Sequence, residues 1–228
     1  MAKKKITRKE LLKKDDEFIS FSNRISQYAL THAKTIKYLG YSLAIIIIII
    51  VGIGFYYRQL NKKALAAYNI AYEALVSESS PETTEENTQR SIEELDRLIK
   101  EYGWTKMATL AMPQLAYLKF GQGKFDEAIS LYRTYLEKDK SGSIYQSMAY
   151  FGLAAAYEAK EEYQSAIGAL KRIVDGENNF LREEALFSLG RLYALSGQAE
   201  KSREAFKDFV DKFKDSSLLP LAKAHLKK

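Results

Sequence analysis

Apolar and polar residues follow two different patterns along this chain. From Tyr38 to Tyr57 there are 20 consecutive residues without a charged side chain, centred on the six isoleucines at 45–50. Beyond this stretch, apolar residues recur every three or four positions almost to the C-terminus, which is typical of helices rather than strands. The pattern predicts an all-α chain in which a single N-terminal transmembrane helix, at residues 38–57, is followed by an irregular α-solenoid.

The uncharged stretch has the length of a membrane span. A helix of 20 residues is about 30 Å long, which matches the hydrocarbon core of a bilayer. Tyrosines at both ends would form interfacial belts. A β-strand usually has about 4–8 residues, and the apolar region of a cleaved signal peptide about 7–15. The first Ala-x-Ala after the stretch, Ala64–Ala66, follows three basic residues. We therefore interpret the stretch as an uncleaved anchor.

The net charge of +6 is concentrated before the span. Residues 1–37 contain ten Lys/Arg and four acids, whereas the other 191 residues contain 25 of each. A nucleic-acid-binding body would need excess positive charge, so no nucleic-acid partner is expected. Ten basic residues before the span against three shortly after it predict a cytoplasmic N-terminus. Close to the span, however, there are three basic residues on each side, so these residues alone favour neither orientation.

The orientation predicts a place in the cell. It puts the C-terminal domain on the far side of the membrane, which in a double-membrane bacterium is the periplasm, with the anchor in the inner membrane. The tail, residues 1–37, has apolar residues at near-helical spacing, among them Leu11, Phe18, Ile25 and Ile36. It would form an amphipathic helix on the cytoplasmic leaflet, with its lysines on anionic lipid. The alternative is a solvated basic tail that only sets topology.

The C-terminal body contains related helix pairs. Small residues stand at equivalent places in the first helix of each pair, at Ala116, Ala154 and Gly190, and in the second helix, at Ala128, Ala166 and Ser202. Such residues let paired helices approach closely. We predict pairs at about 105–140, 147–177 and 183–214, a capping helix at 216–227, and a degenerate first pair over 58–104 with a loop at 78–88.

This arrangement resembles the tetratricopeptide repeat. The segment Gly123-Lys-Phe-Asp-Glu-Ala128 keeps the turn of that family, whereas Lys119 occupies a slot usually filled by an aromatic residue. The layout of tail, span and repeats, with Glu101-Tyr-Gly-Trp104, also resembles the YfgM-type ancillary subunits of the SecYEG translocon. That resemblance implies protein partners: the Sec translocon, a membrane-anchored periplasmic chaperone, or unfolded secretory chains.

The residues that usually carry catalysis are scarce. The chain has no cysteine and only two histidines, His32 and His225. Catalytic triads and His-rich metal sites are therefore excluded or nearly so, and neither a P-loop nor a dinucleotide-binding glycine motif is present. We expect no enzyme, no cofactor, no metal and no small-molecule substrate. The single tryptophan, Trp104, is expected to pack between helix pairs.

The resemblance to tetratricopeptide proteins implies a concave groove lined by the first helix of each pair. On this register the groove residues are Tyr117, Phe120, Phe151, Glu158, Phe187 and Arg191. An alternative is that these rings pack between repeats.

The predicted function is a membrane-anchored protein-binding scaffold that assists handover of secretory or envelope proteins at the bacterial inner membrane, through its periplasmic groove. Two alternatives are a structural adaptor for envelope assembly or cell division that binds one fixed partner, and a membrane-tethered regulator that acts through its cytoplasmic tail.

Overall fold

The computed structural model of the chain describes residues 23–24, 26–28, 30–76, 81–178 and 180–227. It divides into two compact units, Met1–Tyr57 and Arg58–Lys228. Most of the predicted amphipathic tail, including Leu11, Phe18 and Ile25, lies outside the described residues.

The first unit contains the uncharged stretch. Helix α1, Ala33–Val76, includes all of it and continues into the second unit. The isoleucines at 45–50 are each exposed by half or more. Helix α1 is long and apolar enough to cross a membrane, and its most apolar part is not buried within the protein. A helix that is apolar on all sides needs an apolar surrounding, which a bilayer supplies.

The second unit is a series of antiparallel helices, and its described residues contain no strand. After the C-terminal part of α1 come α2 (Pro81–Tyr102), α3 (Lys106–Gly121), α4 (Phe125–Lys138), α5 (Ile144–Ala159), α6 (Tyr163–Val174), α7 (Arg182–Leu195), α8 (Ala199–Lys212) and α9 (Leu219–Leu226). From α2 onward, each helix packs against the next one along the chain. The all-α solenoid predicted from the sequence is confirmed.

The predicted loop at 78–88 is wrong over most of its length, because α2 begins at Pro81. Proline is well suited to the first turn of a helix, since the N–H that it lacks would have no partner there. Glu85 and Glu86 follow about one turn later and place negative charge towards the positive end of the helix dipole. The polar composition that suggested a loop is that of an acidic helix start.

Small residues allow the paired helices to approach. Ala116, Ala128, Ala154 and Ala166 are all almost fully buried. In the last pair, a Cβ added to Gly190 would lie 2.9 Å from the Phe206 ring, so only glycine fits without a shift.

Ser202 replaces the alanine found at its counterparts, and the structure shows how a hydroxyl is accommodated there. Its Oγ donates a hydrogen bond of 2.7 Å to the carbonyl oxygen of Gly190. The buried hydroxyl is therefore satisfied within the helix pair.

Lys119 lies where a regular repeat has an aromatic residue, and the residue is 8% exposed. Its Nζ is 2.7 Å from a Glu127 carboxylate oxygen and 3.3 Å from one of Asp96. The hydrogen bond to Glu127 raises the pKa of Lys119 and lowers the pKa of Glu127. This cation joins α2, α3 and α4 at the point where the irregular first helices meet the repeats.

The C-terminal helix α9 closes the stack with an aromatic cluster. His225 stacks on Phe206 with ring centroids 4.4 Å apart, and Phe187 lies 5.5 Å from Phe206 and 5.7 Å from Phe209 in edge-on contacts. The predicted capping role of this end fits the need of a repeat array to cover its last apolar face.

Trp104 does not pack between helix pairs as expected. It lies in the turn between α2 and α3, and 86% of it is exposed. The neighbouring Thr105 is buried instead, where its Oγ1 accepts the Ala108 N–H at 3.2 Å and caps α3. The Thr105 cap, rather than the Trp104 ring, therefore holds this turn in place.

The turns inside the three pairs share one left-handed residue. Its φ angle is 75° at Gly123, 60° at Glu161 and 75° at Gly197. A left-handed conformation costs a non-glycine residue about 1–2 kcal/mol, and glycine loses about 0.5–1 kcal/mol in additional entropy on folding. We therefore expect Glu161→Gly to stabilise the protein by up to about 1 kcal/mol.

The measurement is thermal unfolding of the full chain in detergent, followed by circular dichroism. Gly197→Ala, at the equivalent position, is the matched control and should be destabilising by about 1 kcal/mol. An equal loss of stability in both variants would contradict the proposed strain at Glu161.

A second prediction concerns acid stability. Because Lys119 depresses the Glu127 pKa, its pairing stabilises the fold above the unfolded pKa of glutamate, about 4.3, and this contribution is lost as the pH falls below it. Lys119→Met removes the pair and keeps an apolar side chain. We expect the melting temperature of the wild type to fall more than that of Lys119→Met between about pH 6 and pH 3.

Lys207→Met, at an exposed position of α8, is the control and should retain the wild-type acid response. Parallel pH profiles for wild type and Lys119→Met would show that the pair contributes no acid-sensitive stability.

Candidate functional site

An open apolar cavity of about 730 Å³ lies within the second unit. It is lined by side chains from α1, α3, α4 and α5, together with Leu181 just before α7. None of its 15 lining residues carries a charge. The aromatic and thioether side chains among them are Tyr68, Met107, Tyr117, Phe120, Tyr132, Tyr135, Tyr145, Met148 and Phe151.

The rim of the cavity is exposed. Tyr117 on α3 is 68% exposed, and Tyr145 and Met148 on α5 are exposed by half or more. These positions are spaced by three or four residues from other lining residues on the same helix, so each helix presents one apolar face. The rim thus offers large apolar side chains to a ligand at little cost in rearrangement.

The floor of the cavity is formed by two buried tyrosines of α4. Tyr132 lies against Gly152 of α5, where an added Cβ would be 2.5 Å from the tyrosine Oη. Burial raises the pKa of Tyr132 to about 12. Tyr135 donates a hydrogen bond of 2.6 Å to Asp139, and burial followed by this bond raises its pKa. Both hydroxyls stay protonated and neutral at physiological pH.

One hydrogen bond closes the side of the cavity nearest α1. The Tyr68 hydroxyl donates to Oε1 of Gln114 on α3 at 3.0 Å, and burial is the main cause of the raised pKa of Tyr68. The only amide in the lining is thereby engaged by a neighbouring side chain. What the cavity offers a ligand is chiefly apolar surface.

Three of the six predicted groove residues meet at this cavity. Tyr117, Phe120 and Phe151 all line it. Phe187 does not, because it packs against Phe206, Phe209 and His225 under the C-terminal cap.

Glu158 and Arg191 lie next to each other and form an ion pair. Arg191 Nη2 lies 2.7 Å from Glu158 Oε2, and Nη1 contacts the second carboxylate oxygen. This hydrogen-bonded pairing raises the pKa of Arg191. The pair links α5 to α7, and neither residue lines the cavity.

Several lining residues were not predicted. Tyr145 and Met148 precede Phe151 by six and three positions on α5, so the helical spacing could have found them. Tyr132 and Tyr135 are on a second helix, which the groove rule ignores. Tyr132 keeps its place in the lining because Gly152 has no side chain.

The lining of the cavity suits the binding of apolar groups. The described part of the chain contains no group of three or more His, Asp or Glu residues placed to hold a metal ion, and the lining residues carry no charge. Burial of one large apolar side chain contributes about 1.5–3 kcal/mol. A few such side chains inserted between the rim aromatics would give useful affinity.

Comparison with known proteins identifies the fold. The tetratricopeptide repeat-like domain family matches residues 33–228. No curated protein sequence matches this chain. A tetratricopeptide repeat protein from Parabacteroides merdae matches 75% of this chain with a TM-score of 0.56 and 19% identity, and this chain covers 59% of that protein's length. The MamA protein matches 65% of this chain, and 72% of its own, with a TM-score of 0.52 and 20% identity.

The contact between Gly152 and Tyr132 leads to a third prediction. Gly152→Ala should displace the Tyr132 ring and destabilise the protein by about 1–3 kcal/mol. In a Tyr132→Leu background the same substitution should cost much less, because the clashing hydroxyl and ring end are gone. Thermal unfolding of the four proteins in this double-mutant cycle measures the coupling.

Gly168→Ala is the matched control, since the space around this helical glycine is open. It should be neutral or stabilising by up to about 1 kcal/mol. Equal costs of Gly152→Ala in both backgrounds would mean that Tyr132 does not depend on this glycine.

Proposed function

The chain belongs to the tetratricopeptide repeat-like domain family, and on that basis we propose that it is a membrane-anchored scaffold that binds other proteins through the apolar cavity. The family match begins at residue 33 and so includes the uncharged part of α1 together with the repeats. The repeat fold supports a protein-interaction role. The uncharged part of α1 supports the attachment of this scaffold to a membrane.

The observation that carries this proposal is the uncharged cavity with its exposed aromatic rim. Aromatic residues that desolvate on binding supply most of the affinity in many protein interfaces. A cavity without cationic side chains cannot neutralise a carboxylate or phosphate, so acidic ligands would lose hydration without compensation. Its preferred occupant is an uncharged, apolar segment of a protein chain.

We place the protein in a bacterial inner membrane, with residues 1–37 in the cytoplasm and the repeats in the periplasm. The ten basic residues before the span support this orientation, because basic residues are retained on the cytoplasmic side. The tail lysines would also attract anionic lipid.

The proposed cellular role is assistance to secretory or envelope proteins as they leave the Sec translocon. Unfolded secretory chains expose the kind of uncharged segment that the cavity suits. The layout that resembles YfgM-type translocon subunits points to the same setting, with the translocon and a periplasmic chaperone as further partners.

A fixed structural partner is the second candidate. Glu158 and Arg191 pair with each other outside the cavity lining, and Phe187 packs under the C-terminal cap. The apolar surface is therefore one compact cavity rather than a groove along all three pairs. Such a site suits one defined segment, as in an adaptor for envelope assembly or cell division.

The test uses the absence of native cysteine. Tyr117→Cys, labelled with a benzophenone maleimide in cells, should crosslink to partner chains through segments that lack charged residues. Arg203→Cys on α8 is the control, since this exposed position lies outside the cavity lining, and it should not yield those products.

Many secretory chains among the crosslinks would support handover, and one stoichiometric partner would support the adaptor. Equal products from both positions, or none, would contradict binding at the cavity. In the same cells, an impermeant maleimide should label Arg203→Cys in spheroplasts with an intact inner membrane. Labelling only after that membrane is broken would overturn the periplasmic placement.

A further inference from the structure

We propose that the Tyr132 hydroxyl selects the conformation of the segment that the cavity binds. It donates a hydrogen bond to a main-chain carbonyl oxygen of that segment, so the cavity takes an extended, uncharged peptide segment in preference to a helix. This inference rests on the proposed function, because it takes the cavity as the place where a protein segment binds.

The Tyr132 hydroxyl differs from those of its neighbours in the lining. Tyr68 donates to Gln114, and Tyr135 donates to Asp139. Tyr132 is only 5% exposed, yet its hydroxyl forms no hydrogen bond with any described residue. Buried polar groups nearly always have a partner in a folded protein. The partner of this hydroxyl is therefore expected to come from a ligand.

The Tyr132 oxygen is open to the cavity. In the part of the chain that the structure describes, the side-chain nitrogen and oxygen atoms that are both sealed from solvent and unpartnered are Ser91 Oγ and Arg182 Nε. The Tyr132 oxygen is not one of them, and Tyr132 lines the cavity. Its ring end lies against Gly152, which has no side chain to cover the hydroxyl. A ligand in the cavity can therefore reach this oxygen.

The group that satisfies this hydroxyl is a neutral acceptor. Burial and, to a lesser degree, the nearby Tyr117 raise the pKa of Tyr132 to about 12, so the hydroxyl keeps its proton and can donate throughout the physiological range. A carboxylate is disfavoured, because no lining residue carries a positive charge that would offset its loss of hydration. A carbonyl oxygen has neither problem.

An apolar segment carries carbonyl oxygens only in its main chain. In a helix these oxygens, except those of the last turn, already accept N–H groups of the same segment. In an extended segment they are free to accept from Tyr132, and alternate side chains point to opposite sides. One row of apolar side chains can then contact the aromatic rim. The Tyr132 hydroxyl thus favours a segment that has not folded into a helix.

The test measures peptide affinity and stability for the same set of variants. The full chain is placed in phosphatidylcholine nanodiscs and titrated with a capped peptide of Leu, Ala and Gly that carries a dansyl label and a polyethylene glycol tail for solubility. Fluorescence anisotropy, with empty nanodiscs as the background, gives Kd. Tyr132→Phe removes the hydroxyl and keeps the ring. We expect Kd to rise about three- to tenfold, while the melting temperature stays the same or rises.

Two other tyrosines provide matched controls. Tyr193→Phe on α7 removes the hydroxyl of a buried residue outside the cavity lining, and it should leave Kd unchanged. Tyr135→Phe removes a hydroxyl that bonds Asp139, so it should lower the melting temperature. An equal decrease for Tyr132→Phe would show that its hydroxyl stabilises the free protein, which would overturn the inference.

A helical peptide tests the preference for an extended segment. Replacing Ala and Gly by α-aminoisobutyric acid holds the same peptide in a helix. This peptide should bind the wild type about three- to tenfold more weakly than the flexible one, and it should bind Tyr132→Phe as well as it binds the wild type. Equal affinity of the wild type for both peptides would overturn the inference.

Tyr117→Asp separates this inference from the proposed function. Its rim position is exposed, so the fold should tolerate the change, and a carboxylate there should prevent an apolar segment from binding in the cavity. Binding that is unchanged in Tyr117→Asp, or absent from the wild type, would contradict binding at the cavity and overturn the inference with it. Binding that is lost in Tyr117→Asp but equal in the wild type and Tyr132→Phe would overturn the inference alone.

Discussion

Two helices can pack closely in this protein only where one of the two contacting residues has a very small side chain. Ala116, Ala154 and Gly190 provide that space on the first helices, and at Gly190 the Phe206 ring occupies it. Because a protein interior tolerates neither clashes nor voids, these positions set the distance between helices. The large side chains are consequently driven to the space between pairs or to the open face, where the cavity forms.

Most of the fold could be predicted from the spacing of the apolar and small residues, because this spacing can be read from each stretch of sequence by itself. The prediction failed where local composition was ambiguous, as in the acidic start of α2 at Pro81. The prediction also failed where contacts between helices decide which surface a side chain faces. Phe187 has the same register as Phe151, yet α9 covers the first and leaves the second at the cavity. Tyr132 depends on Gly152 from another helix, a relation that no single helix pattern contains.

The distribution of charge in the second unit complements that of its apolar surface. Glu158 and Arg191 pair with each other, whereas no lining residue of the cavity carries a charge. Lys119 is the one buried cation among the described residues, and two carboxylates satisfy it. Ionic contacts therefore hold the helices in register, and the apolar surface is left for recognition.

The aromatic cap at α9 has a consequence for assembly. A stack of helix pairs has two ends, and an uncovered end presents the same kind of surface that the preceding pair has just covered. Copies of such a chain could add to one another head to tail and grow into open filaments. With His225 lying flat on Phe206, part of the apolar surface of the last pair is already covered and less of it is left for the first pair of another molecule. The cap thereby disfavours the addition of further copies at this end.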